Sequence, residues 1–287
     1  MKLPIFVSLI LALSGCSTAA LAPDPEPVRY PAANLHDDRY EPGPGWRLVW
    51  SDEFEGEQLD SASWNRQVVR AGRFNEELQR YTDDEKNAYL DQGCLVIKAI
   101  HESDTHGRNQ YTSARLNTAQ KHAWRYGKIA ARIQLPYGQG IWPAFWMLGA
   151  NIDENGGDTP WPQAGEIDIL ELYGSRDPGV VEANIHYADR RGKHDSMGAK
   201  GYHLDQGRFA DRFHVFAIEW DEREIRWFVD GEQYASTSIV APEFSEFHQD
   251  FFILLNIAVG GRPAGRPDDS TPFPVTMYVD WVRVYQR

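Results

Sequence analysis

From Trp46 onward the chain is written in strand-length runs, and this constrains its fold more than any other feature. In GKIAARIQLP, Ile129, Ala131, Ile133 and Leu135 fall on one side of a period of two, with Arg132 and Gln134 on the other. EIRWFVDGEQYAS alternates and turns at Asp230-Gly231, the dipeptide of a two-residue hairpin. FHVFAIEW, FFILLNIAV and MYVDWVRVY are runs of similar length, rich in β-branched and aromatic residues. No long helical period and no internal repeat interrupts them. Many strands at short spacing, over about 240 residues, predict one all-β sandwich or barrel. The last strand, ending at Tyr285, is expected to pair near the first, beginning at Trp46.

The 287 residues, 42% of them hydrophobic, can bury the core of one large domain. A formal net charge of -13 argues against a nucleic-acid partner, which requires basic patches. Ten tryptophans suit stacking on sugar faces but serve equally as core.

The first fifteen residues carry a Lys, an apolar run too short to span a bilayer, and small residues before Cys16, the pattern of a signal peptide. Leu13-Ser14-Gly15-Cys16 resembles a bacterial lipobox, so Cys16 is the expected lipidation site. Ser17 after it resembles export to the outer membrane, and the expected location is the bacterial cell envelope. Residues 16–44, rich in Pro, Ala and charge, form the lipidated Cys and a flexible tether; residues 45–287 form the folded domain. Cys94 then has no disulfide partner and reads as core.

The stretch GEIDILELYG places Glu166, Asp168 and Glu171 among aliphatic residues. On a helix, Glu166 and Glu171 would diverge by about 140°. On a regular strand, Glu166 and Asp168 share a face, but Leu170 takes the third place and Glu171 points away. One extra residue around Ile169–Leu170, a β-bulge, returns Glu171 to the face of the other two and sends the aliphatics to the core. Acids so gathered repel unless their pKa values are split, and a double displacement at a sugar needs that split. Carboxyl groups about 5–5.5 Å apart suit a retaining glycosidase, and about 6.5–9.5 Å an inverting one. Two plainer readings stand beside this one: a solvated strand face, and a site for a hard cation.

EIDILE, preceded by WPAFWMLG and WPQAG, resembles the laminarinase-type members of glycoside hydrolase family 16. WSDEF, NEELQRYT, YTSARLNT, LLNIAVGG and VDWVRVYQ extend the resemblance from about Trp46 to Tyr285. It implies a β-jelly-roll sandwich of two curved antiparallel sheets, with a substrate groove on the concave face. It implies a retaining endo-β-1,3-glucanase acting on laminarin-like or mixed β-1,3/1,4-glucan. Glu166 would be the nucleophile, Glu171 the acid/base and Asp168 the residue that orients and tunes Glu166. Trp142 and Trp161 resemble the aromatic platforms beside the cleavage point; Trp146 is expected in the core, between Phe145 and Met147. Asn75 and Arg115 resemble residues that bind glucose hydroxyls on the non-reducing side, and His186 resembles a histidine near the leaving group. Asn256 faces either the groove or a buried backbone group. No cofactor is implied for catalysis. A structural Ca²⁺ is implied on the convex sheet, held by Asp280 and main-chain oxygens near Glu53 and Gly93. The expected protein is a monomer whose partners are β-glucan and, through Cys16, a membrane. One departure stands out: where laminarinases carry N-N-E-L-Q, this chain has Phe74-Asn75-Glu76-Glu77-Leu78-Gln79, which leaves the glycan preference open. Hydrolysis of agarose or carrageenan, transglycosylation, and non-catalytic β-glucan binding are the alternatives; retention of all three acids weighs against the last.

Overall fold

A computed structural model describes residues 40–103, 109–198 and 201–287. The expected signal peptide, Cys16 and most of the tether lie outside the described residues. The remainder forms two stacked, largely antiparallel sheets of ten and eight strands. This is the jelly-roll sandwich, with helix among the described residues confined to short turns such as Gly261–Ala264.

The larger, convex sheet is built around Gly127–Gln134, which lies between His214–Trp220 and the C-terminal Val275–Gln286. Ile129, Ala131 and Ile133 of the first of these, and Leu135 just after it, enter the main core, as their spacing predicts. Burying each such aliphatic side chain is worth roughly 1.5–3 kcal/mol. Arg47–Asp52 pairs with Val275–Gln286, so the ends of the domain meet as expected. The hairpin at Asp230-Gly231 forms with both residues at positive φ, 49° and 85°, the twist that a two-residue turn needs.

The smaller, concave sheet carries the groove. Its central strands are Val180–Ala188, Glu166–Glu171, Ile141–Gly149 and Phe251–Val259, in that order. Along Ile141–Gly149, Ile141, Phe145 and Met147 join the core while Trp142, Ala144, Trp146 and Leu148 line the groove. Trp146 therefore corrects its sequence expectation. It stands four residues from Trp142 on an unbroken period of two, so both must share a face, whatever flanks them.

Candidate active site

The Glu166–Glu171 strand is bulged. Against Ile141–Gly149, Asp168 sits opposite Trp146, but Leu170, not Ile169, sits opposite Phe145; against Val180–Ala188 the register also shifts between Asp168 and Glu171. Two residues thus occupy the space of one. Ile167, Ile169 and Leu170 all pack in the main core, while Glu166, Asp168 and Glu171 line one groove of about 600 Å³. The bulge is tied down from the opposite sheet, where buried Trp227 donates its indole N–H to the main-chain oxygen of Asp168 at 2.9 Å. A disturbed ladder is thereby given a fixed partner inside the core.

Each glutamate is gripped by a tryptophan. Trp161 Nε1 donates to Glu166 Oε2 at 3.0 Å, and Oε1 is not engaged by that indole. Trp142 Nε1 donates to Glu171 Oε1 at 2.9 Å, and the Tyr173 hydroxyl donates to Oε2 at 2.7 Å. An indole can only donate, so Oε1 must accept; a proton on Glu171 belongs on Oε2, where the Tyr173 hydroxyl can turn to receive it. His186 Nε2 lies 3.2 Å from Asp168 Oδ2 and 3.7 Å from Glu166 Oε1. The three carboxyl groups are pushed up from the ordinary range to about 8. Burial is the largest cause for each, and the neighbouring charge of Asp168 is the next for both glutamates. A hydrogen bond with Glu166 acts the other way on Asp168. Such a cluster holds and exchanges protons near neutral pH, the property that acid–base work requires.

Beyond the acids, the groove floor is a connected polar network. Trp146 Nε1 donates to Asn256 Oδ1 at 2.7 Å, and Asn256 Nδ2 donates to the Tyr81 hydroxyl at 3.1 Å. Tyr81 and Gln79 donate in turn to Glu77 Oε2, at 3.3 and 2.6 Å. Burial raises the pKa of Glu77 as well. The buried Arg115 guanidinium is sandwiched between the rings of Phe74 and Trp146 and bonds Glu154 at 2.6 Å.

Residues 74–283 match the sequence profile of Glycosyl hydrolases family 16. The chain belongs to this family. It is therefore a glycoside hydrolase. The chain is 41% identical to the Beta-glucanase of Rhodothermus marinus over 262 residues, covering 88% of this chain and 89% of that protein. It is 36% identical to Glucan endo-1,3-beta-glucosidase A1 of Niallia circulans over 266 residues, covering 85% of this chain but spanning only 38% of that relative's length. Among solved structures, the catalytic domain of an endo-1,3-beta-glucanase (laminarinase) from Thermotoga petrophila RKU-1 shares 43% identity and a TM-score of 0.72, over 84% of this chain and 98% of that one.

In this family 16 groove the structure gathers Glu166, Asp168, Glu171, Trp142, Trp161, Asn75, Arg115 and His186. Their placements differ in kind. Trp161 is 44% exposed, with its ring centroid 4.5 Å from that of His194; Trp142 is 9% exposed and holds Glu171 rather than offering a stacking surface. Asn75 stands exposed at the rim, donating to Glu77 Oε1 at 3.3 Å. Asn256 faces the groove. Of the two acids in the unusual loop, Glu76 turns outward to Arg262 and Glu77 takes the buried place. Tyr173, Tyr81 and His194 were not expected. Tyr173 was within reach of sequence reasoning, since it stands two residues beyond Glu171. His194 was not, because its place depends on the pairing of His194–Ser196 with Val180–Ala188.

The expected calcium ligands lie apart from this groove. The Asp280 carboxylate accepts from Arg132 Nη1 at 2.7 Å, and Glu53 accepts from Arg283 at 2.7 and 2.9 Å. Oδ2 of the one expected carboxylate ligand is thus paired with a guanidinium, and the other donors would be the main-chain oxygens near Glu53 and Gly93. A Ca²⁺ there would have to share Asp280 with Arg132.

Proposed function

We propose that the protein is a retaining endo-glycosidase that cuts β-1,3-glucan, laminarin-like or mixed β-1,3/1,4. The observation that carries this reading is the bulge that turns Glu171 onto the groove floor beside Glu166 and Asp168, in a chain 36–43% identical to proteins named for endo-1,3-β-glucan cleavage. Glu166 Oε1 attacks the anomeric carbon while Glu171 Oε2 gives its proton to the departing glycosidic oxygen. The C1–O bond breaks, and a glycosyl ester of Glu166 forms. Glu171, now ionised, takes a proton from water; the water oxygen bonds to C1 and releases Glu166. Asp168 shares a proton with Glu166 and so sets when the nucleophile is free to attack. Trp161 stacks on a sugar ring, and Arg115, Asn75 and Asn256 bind hydroxyls on the other side of the cleavage point.

Glu166→Gln should release oligosaccharides from laminarin at least about 10³-fold more slowly than the wild type, the scale of losing a catalytic nucleophile. Equal turnover would reject the assignment. The full proposal includes a monomer held on the outer membrane through acylated Cys16. Incorporation of labelled fatty acid that persists in Cys16→Ala would refute that anchor.

A further inference from the structure

Beside Glu166 and Asp168 stand two histidines, His186 and His194, to which the cleavage steps assign no role. Glu166, Asp168 and His186 each bring one possible ligand atom within 4.8 Å of the others, and His186 Nε2 lies 3.2 Å from Asp168 Oδ2 and 3.7 Å from Glu166 Oε1. Asp168 is 3% exposed, and among the described residues no donor is aligned with its Oδ2, although His186 Nε2 stands 3.2 Å away. The other oxygen of Glu166 is already taken by Trp161. The other nitrogen of His186, Nδ1, lies 2.8 Å from His194 Nε2, and the two imidazoles are stacked. When Nδ1–H donates to His194, the Nε2 lone pair points at the two carboxylates. In that tautomer, and once the proton shared by Glu166 and Asp168 is gone, three lone pairs converge on a place that a cation can take.

Zinc bonds of about 2.0–2.2 Å put the ligand atoms of a tetrahedral site about 3.3–3.6 Å apart. The distances from His186 Nε2, 3.2 and 3.7 Å, bracket that edge length. Two carboxylates and one imidazole suit a borderline divalent ion such as Zn²⁺, whereas Mg²⁺ and Ca²⁺ favour all-oxygen sets. A histidine ligand whose second nitrogen is fixed by a neighbour is the usual outer-shell support of such a site. We propose that Glu166, Asp168 and His186 form a zinc site, oriented by His194, that takes up Glu166 Oε1 and so inhibits the enzyme reversibly. Zinc and glucan then exclude each other from the groove. The binding stands independently of the glucanase reading; only the inhibition rests on it.

The test is calorimetric titration of Zn²⁺ into the full chain and its variants, with Mg²⁺ as control. The wild type is expected to show a site that is lost in His186→Ala and weakened about 10–100-fold in His194→Ala. Laminarin hydrolysis should be inhibited competitively and restored by a chelator. Anomalous scattering from zinc-soaked crystals should place the ion among the three atoms. Absence of binding at millimolar Zn²⁺, undiminished binding in His186→Ala, or an anomalous peak elsewhere only would overturn the proposal. If His186→Ala fails to fold, His194→Ala and the anomalous map decide it, because His194 lies exposed at a sheet edge. Zinc binding without any laminarin cleavage by the metal-free protein would refute the glucanase reading and leave the site standing.

Discussion

Each sheet of the sandwich has a bulge beside a buried aspartate, and the two aspartates are treated in opposite ways. In the convex sheet the register shifts between Val279 and Trp281, and Asp280 meets the Arg132 guanidinium at 2.7 Å. In the concave sheet it shifts just after Asp168, which meets two glutamates and a histidine instead. A fixed cation turns a buried acid into a structural joint. Neighbouring acids with no guanidinium among them turn it into a store of shared protons. The same backbone device therefore serves cohesion on one side and chemistry on the other, and the partner alone decides which.

Asp168→Asn is the sharpest way to break this contrast. It should lower laminarin turnover by about 10²-fold, as expected when a proton-sharing partner is lost, yet leave the melting temperature unchanged or higher. A clear loss of stability would make Asp168 a structural joint like its counterpart. Asp280→Asn should do the reverse. Removing the charge that faces the partly buried Arg132 costs about 3 kcal/mol, or roughly 6–12 °C in Tm for a domain this large, with turnover per folded molecule unchanged. In the same melting assay a chelator should leave the wild type where it is if the Arg132 pair is what holds Asp280; a marked fall would show that an ion holds it as well.

The smallest effect is a slope with pH. In the unfolded chain these carboxyls have ordinary values near 4, while the folded cluster lies at about 8. Between those values the folded protein holds more protons than the unfolded chain. Raising the pH through that window therefore removes stability, and the loss is complete above the folded value. Tm should decline from pH 5 to 8, and less steeply in Asp168→Asn. Parallel slopes would show that Asp168 shares no proton.

Much of this was legible in the sequence, for reasons that are local. The turn at Asp230-Gly231 and the alternation through Ile129, Ala131 and Ile133 depend only on near neighbours. The bulge followed from asking how Glu171 could join Glu166 and Asp168 without exposing Ile169 and Leu170. Trp146 is the exception: flanking core residues Phe145 and Met147 point the other way on a period of two, so Trp146 belongs with Trp142 on the groove face. What could not be read was contact across distance: Trp227 on the back of the bulge, His194 behind His186, Tyr81 and Glu77 beneath Asn256. Those partners come from strands far apart in the chain, and residue spacing does not encode which of them meet.

The insertion at Ile169–Leu170 also fixes what the gene can lose there. Because both side chains turn inward in the place of one, excising either codon would restore plain alternation with all three acids still aimed outward. A single-codon loss inside a strand ordinarily swaps inside for outside along everything downstream. Here that frameshift of faces is already absorbed, so shortening the segment would trim packing while sparing the direction of its chemistry.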